Sequence, residues 1–73
     1  MNIPIEQQYR AVLRAATDER HARNTILNNE ALNPAQRMSA VAESDKMIEE
    51  LEAAAATLAL VDSLRTSLRL FLD

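Results

Sequence analysis

Asn28-Asn29-Glu30-Ala31-Leu32-Asn33-Pro34-Ala35-Gln36 is the stretch on which the fold turns. Its second half is a complete helix-start signal. Asn is a strong N-cap because its side-chain oxygen takes a backbone N–H that the first turn leaves unbonded. Pro suits the first helical position, where no amide hydrogen is needed and φ is preset. Gln36, three residues after the cap, can reach back to the Asn33 amide and close a capping box. A second helix therefore begins at Pro34. The first half of the stretch is a helix stop. The chain has no Gly, so Asn28 or Asn29 is expected in the left-handed conformation that Gly usually supplies at a helix end.

Upstream of the turn, apolar residues step by four and three through Ile5, Tyr9, Val12 and Ala16 and, after a gap, reach Ile26. Leu13 and Leu27 widen the stripe. This spacing predicts an amphipathic helix over about 5–28, with a turn at 29–33. Met1 to Pro4 is a lead-in, with Pro4 in the first turn. Glu6–Arg10 and Glu19–Arg23 are i,i+4 pairs in the favourable order. Downstream, Met38, Val41, Ile48, Leu51, Ala55, Leu58, Val61, Leu64, Leu68 and Phe71 form a second stripe, with Leu72 beside it and Asp45 interrupting it once. No Gly or Pro follows Pro34, so one helix is expected over 34–72. A break near Ser44 is the alternative. Met47 stands three residues beyond Ser44, so no capping box supports it. A short connection makes the helices antiparallel neighbours. The fold class is all-α: an antiparallel helical hairpin of two long helices in one domain, 1–73.

Composition agrees. The 73 residues are rich in Ala, Leu, Glu and Arg, with one Tyr and one Phe, a mixture that loses little side-chain freedom in a helix. A core of this size supplies only ~3–5 kcal/mol and usually needs a staple. Without Cys there is no disulfide, and one His with no Cys is a poor zinc set. Association remains, and a homodimer in a four-helix arrangement is expected. Met1-Asn2-Ile3-Pro4 has no basic or apolar signal-peptide character, and no long apolar run predicts a membrane span. A cytoplasmic location is expected from the absence of Cys. The net charge of −3 and pI of about 5.0 argue against nucleic acid, which needs a basic face.

Folding the chain at the turn sets residues whose numbers sum to roughly 62 opposite each other. Arg10 is then expected against Glu52, Arg14 against Glu49 or Ile48, and Tyr9 against the Ala53–Ala55 run. The first helix is too short to reach Leu58, Val61, Leu64, Leu68, Phe71 and Leu72. These six residues are the expected dimer interface, because soluble monomers rarely expose so much apolar surface.

Chemistry is sparse. Asp18-Glu19-Arg20-His21-Ala22-Arg23-Asn24 is the most polar stretch of the first helix. Glu19 and Arg23 fall at seam positions, where polar groups can fix register. Arg20, His21, Arg23 and Asn24 are the candidate partner-binding residues, set against the plainer reading of a solvated turn of helix. Asp18 and His21 have the i,i+3 spacing of di-metal bundles, but the facing region offers only Glu43, so no metal is expected. Glu43, Asp45, Glu49, Glu50 and Glu52 form an acidic run. Magnesium-dependent hydrolases converge such acids on one ion. Here Glu49 and Glu50 diverge by about 100°, and Arg10, Arg14 and Lys46 are near enough to neutralise the run. Met38 and Met47 are read as core or interface fillers, and Tyr9 and Phe71 as packing anchors. With no Cys, one His and no turn built to expose a nucleophile, neither an enzyme nor a cofactor is expected.

The helix–Asn33-Pro34-Ala35–helix plan and the chain length resemble the hairpin subunits and small hairpin chaperones of type III secretion systems. The Gln- and Tyr-bearing pattern of needle subunits is missing after the turn, so no residue role carries over. The plan is also similar to the dimeric hairpin that binds RNA in plasmid copy control, although the acidic second helix opposes that role. The sequence therefore points first to a small interaction module that binds a larger protein as inhibitor, antagonist or adaptor. A secretion-apparatus hairpin is second, and an RNA-binding hairpin third.

Overall fold

A computed structural model describes residues 3–72; Met1 and Asn2 of the lead-in, and Asp73, lie outside the described residues. Two helices account for nearly all of it, α1 (Ile5–Leu27) and α2 (Pro34–Leu72). They pack as an antiparallel hairpin in a rod of 60 × 18 × 18 Å. Among the described residues, no helix is long and apolar enough to cross a membrane.

The turn is built as its sequence requires at one end and differently at the other. Asn33 Oδ1 accepts the Gln36 N–H at 2.8 Å, and Gln36 Oε1 accepts the Asn33 N–H at 3.1 Å. This is the reciprocal capping box. At the end of α1 the expected left-handed Asn is corrected. No described residue has positive φ, and Asn28 sits at φ −96° and ψ 3°. The carbonyls are satisfied by other donors instead. The Asn28 side chain donates to the Asn24 carbonyl at 2.9 Å, and the Asn29 N–H donates to the Ile26 carbonyl at 3.2 Å. Asn29 Oδ1 then accepts the Ala31 N–H at 3.0 Å, a local turn typical of Asn. Arg37 fastens the loop from α2, its guanidinium donating to the carbonyls of Asn29 and Leu32 at 2.9 and 3.1 Å. Pro4 lies just before α1 rather than inside its first turn, and its carbonyl accepts the Gln8 N–H at 3.1 Å.

The seam follows a strict four-three alternation. On α1 the buried or half-buried residues are Ile5, Tyr9, Val12, Ala16, Glu19, Arg23 and Ile26. On α2 they include Arg37, Val41, Ser44, Ile48, Leu51, Ala55 and Leu58. Average spacings of 3.5 residues are those of a coiled coil. Among the described residues only Ala16, Ser44, Ile48 and Ala55 are buried outright, so the core is thin. Helix α2 runs through Ser44 without a break. Ser44 fills the seam position between Val41 and Ile48, and Asp45 stands beside the seam rather than in it. Met38 is corrected from stripe to surface: it is 74% exposed, and Arg37 takes its place. Met47 is exposed as well.

Candidate protein-interaction surfaces

Two polar layers cross the seam. Ser44 Oγ donates to Glu19 Oε1 at 2.7 Å, and Arg23 Nε donates to Asp45 Oδ1 at 2.6 Å. Glu19 and Arg23 thus occupy seam positions, but they bond across to α2 rather than to each other. A third bond joins Arg20 to Glu52. The expected pairings of Arg10 with Glu52 and Arg14 with Glu49 are overturned. Arg10 bonds Glu6 on its own helix at 2.6 Å, and Arg14 forms no ion pair among the described residues. Side chains on a helix lean toward its N-terminus. In an antiparallel pair, Arg20 and Glu52 therefore lean toward one another along the axis and meet although their Cα atoms are offset. Arg14, two residues from both Val12 and Ala16, points away from α2. The Glu19–Ser44 register does carry Tyr9 opposite Ala54 and Ala55, large against small.

Among the described residues, the two ion pairs between the helices, Arg23–Asp45 and Arg20–Glu52, lie on one flank of the hairpin, and the Ser44–Glu19 bond lies within the seam. Clefts run along that flank. One, of about 250 Å³, is lined by Arg20, Arg23, Asn24, Asp45 and Ile48. The next, also about 250 Å³, is lined by Leu27, Arg37, Met38, Val41, Ala42 and Asp45. Asp45 belongs to both. The structure thus brings Arg20, Arg23 and Asn24 of the candidate set together over a groove with an apolar floor. His21 is exposed on the outer face of α1, away from that groove. Among the described residues no group of three or more His, Asp or Glu side chains is placed to hold a metal ion.

Among the described residues the opposite flank carries no ion pair. Helical spacing puts Ala15 and Ala22 of α1, with Met47 and Ala54 of α2, on that side, and all four are exposed.

Beyond Leu58 every described residue of α2 is exposed. This overhang, 59–72, extends about 21 Å past the cover of α1 at 1.5 Å per residue. Of the six expected interface residues, Leu58 belongs to the hairpin itself, half-buried beside Ile5 and Tyr9. The other five are uncovered: Val61 is 39% exposed, Leu64 56%, Leu68 61%, Phe71 88% and Leu72 80%. The spacing in the sequence reads as one stripe as far as Phe71, and the structure shows that it changes face. The hairpin seam continues into Asp62, Arg65 and Arg69, which lie with Pro4, Ile5 and Glu6 around a cleft of about 190 Å³. The leucines turn toward the alanine flank. The signal was legible in the spacing. From Ala55 through Leu58 and Val61 to Leu64, three steps of three follow one another, and each rotates the stripe backward about the axis.

No family model, no curated protein and no solved structure matches this chain.

Proposed function

We propose that this chain is a small non-enzymatic interaction module that binds a larger protein as an inhibitor, antagonist or adaptor and associates with itself through α2. The observation that carries the reading is the uncovered overhang. Burial of each of its large apolar side chains is worth ~1.5–3 kcal/mol, so two or three of them match the ~3–5 kcal/mol that a core of this size supplies. A surface of this kind on so small a fold supports a partner as part of the stable state. The groove edged by Arg20, Arg23 and Asn24 is the second surface. Its guanidinium groups are half-engaged by Glu52 and Asp45 and can exchange these for carboxylates on a partner. The cysteine-free sequence supports a cytoplasmic setting.

A hairpin subunit or chaperone of a secretion apparatus is the second reading, favoured by the Asn33–Pro34 turn. It differs in one respect: a different protein covers the overhang. Sedimentation velocity over a range of concentrations, with thermal unfolding of the same samples, tests the proposal. Linked association makes both the mass and the melting temperature rise with concentration. A fully folded monomer at every concentration refutes self-association. A chain that stays poorly folded at every concentration leaves the second reading.

A further inference from the structure

The overhang and the alanine flank share one face of α2. Ala54, Thr57, Val61, Leu64, Leu68 and Phe71 follow the three-four alternation of a coiled-coil seam. That seam is rotated about a quarter turn or more from the one α1 occupies, so α1 leaves it open along its whole length. Ala54, Thr57, Val61, Leu64, Leu68 and Phe71 are all exposed.

Resting on the self-association just proposed, we infer that the occupant of this face is the same segment of a second copy, lying antiparallel about a two-fold axis. Val61 then meets Leu64, Thr57 meets Leu68, and Ala54 meets Phe71 of the second copy. Three observations select this occupant and this direction. The first is volume. The small residues stand at the N-terminal end of the seam and the large ones at the C-terminal end, so an antiparallel copy sets small against large in the outer layers and Val61 against Leu64 in the middle ones. A parallel copy stacks Phe71 on Phe71 and Ala54 on Ala54, crowding one end and leaving a gap at the other; even layers are what dense packing requires. The second is charge. In the antiparallel register Arg65 stands level with Leu60 and Arg69 with Ala56, whereas a parallel copy sets Arg65 beside Arg65 and Arg69 beside Arg69. The third is area. At ~200 Å² for a fully exposed large apolar residue, the fractions exposed for Leu60, Val61, Leu64, Leu68, Phe71 and Leu72 put roughly 700–800 Å² on each copy. Two copies can then bury up to about 1,500 Å², within the range of a stable interface. The charged flank with its clefts stays outside the interface, open to the larger partner.

The protein has no cysteine, so single-cysteine variants report the register directly. Ala54→Cys and Phe71→Cys proteins are oxidised separately and as an equimolar mixture, and each sample is sedimented before oxidation. The antiparallel pairing gives a disulfide-linked heterodimer from the mixture and its loss from either variant alone, because a disulfide needs Cα atoms within about 7 Å. Thr57→Cys with Leu68→Cys repeats the experiment one layer inward and serves where Phe71→Cys weakens association. A disulfide formed by each variant with itself shows a parallel pairing and overturns the inference. So does an associated sample in which neither mixture cross-links. A wild-type protein that sediments as a folded monomer overturns the self-association itself, which is a different failure from a wrong register.

Discussion

Replacing Ser44 by Ala isolates the polar layer at the middle of the hairpin. Ser44 is 4% exposed, and its hydroxyl donates to the half-buried Glu19 carboxylate at 2.7 Å. Removing one oxygen leaves no sizeable cavity, so the effect is electrical rather than steric. A hydrogen bond to a charged group contributes ~1.5–3 kcal/mol, and the partial access of water to Glu19 puts this one at the lower end. Ala is the better helix former, by up to ~0.7 kcal/mol. The net cost is about 1 kcal/mol, a fall in Tm of about 4–8 °C for a domain of this size. Glu19→Leu should behave differently. It removes the carboxylate, and the orphaned Ser44 hydroxyl can turn back to a carbonyl of its own helix. The pair Glu19→Leu with Ser44→Ala should be at least as stable as the wild type, since replacing both polar partners by apolar groups is near neutral or stabilising. The three variants form a double-mutant cycle with a coupling of about 1 kcal/mol. Thermal and urea unfolding measure it at one fixed protein concentration, because association is linked to stability. A Ser44→Ala protein that melts at or above the wild-type temperature would falsify the assignment of net stabilisation to this bond.

The turn, the charged flank and the overhang each give one further expectation. Asn33→Ala removes the capping box and should cost ~0.5–2 kcal/mol; an unchanged melting curve would show that Pro34 and the Arg37 bonds suffice to start α2. Arg23→Glu should destabilise more than Arg20→Glu, because the Arg23 side chain is 32% exposed and that of Arg20 is 52%. Exposed pairs are worth ~0–1 kcal/mol, so the double reversal should stay folded by circular dichroism while losing capture of a larger partner; retained capture would return the patch to a solvated face. Leu64→Asp with Leu68→Asp places carboxylates on the free seam and should yield a poorly folded monomer by sedimentation, whereas an undiminished dimer would remove the overhang from the interface.

The sequence by itself determined the two helices, their ends and the hairpin. These are local matters: a cap three residues before its Gln, a proline that needs no amide hydrogen, and apolar residues spaced to one side of a helix. Length then dictated the overhang, since 23 residues of α1 cannot cover 39 of α2. Only the tertiary structure decided which charges meet and which way the overhang faces. Side chains lean along the helix axis, so Arg20 reaches Glu52 where a flat pairing of residue numbers pointed to Arg10. Helical phase accumulates over many residues, so the stripe that carries Ala55 and Leu58 into the hairpin has rotated away from α1 by Leu64. Asp45 read as a flaw in the core until the register set Ser44 in the seam, bonded to Glu19, and moved Asp45 to the flank beside Arg23. A one-residue shift reassigns a side chain from core to surface, and only the packing of α1 against α2 fixes that shift.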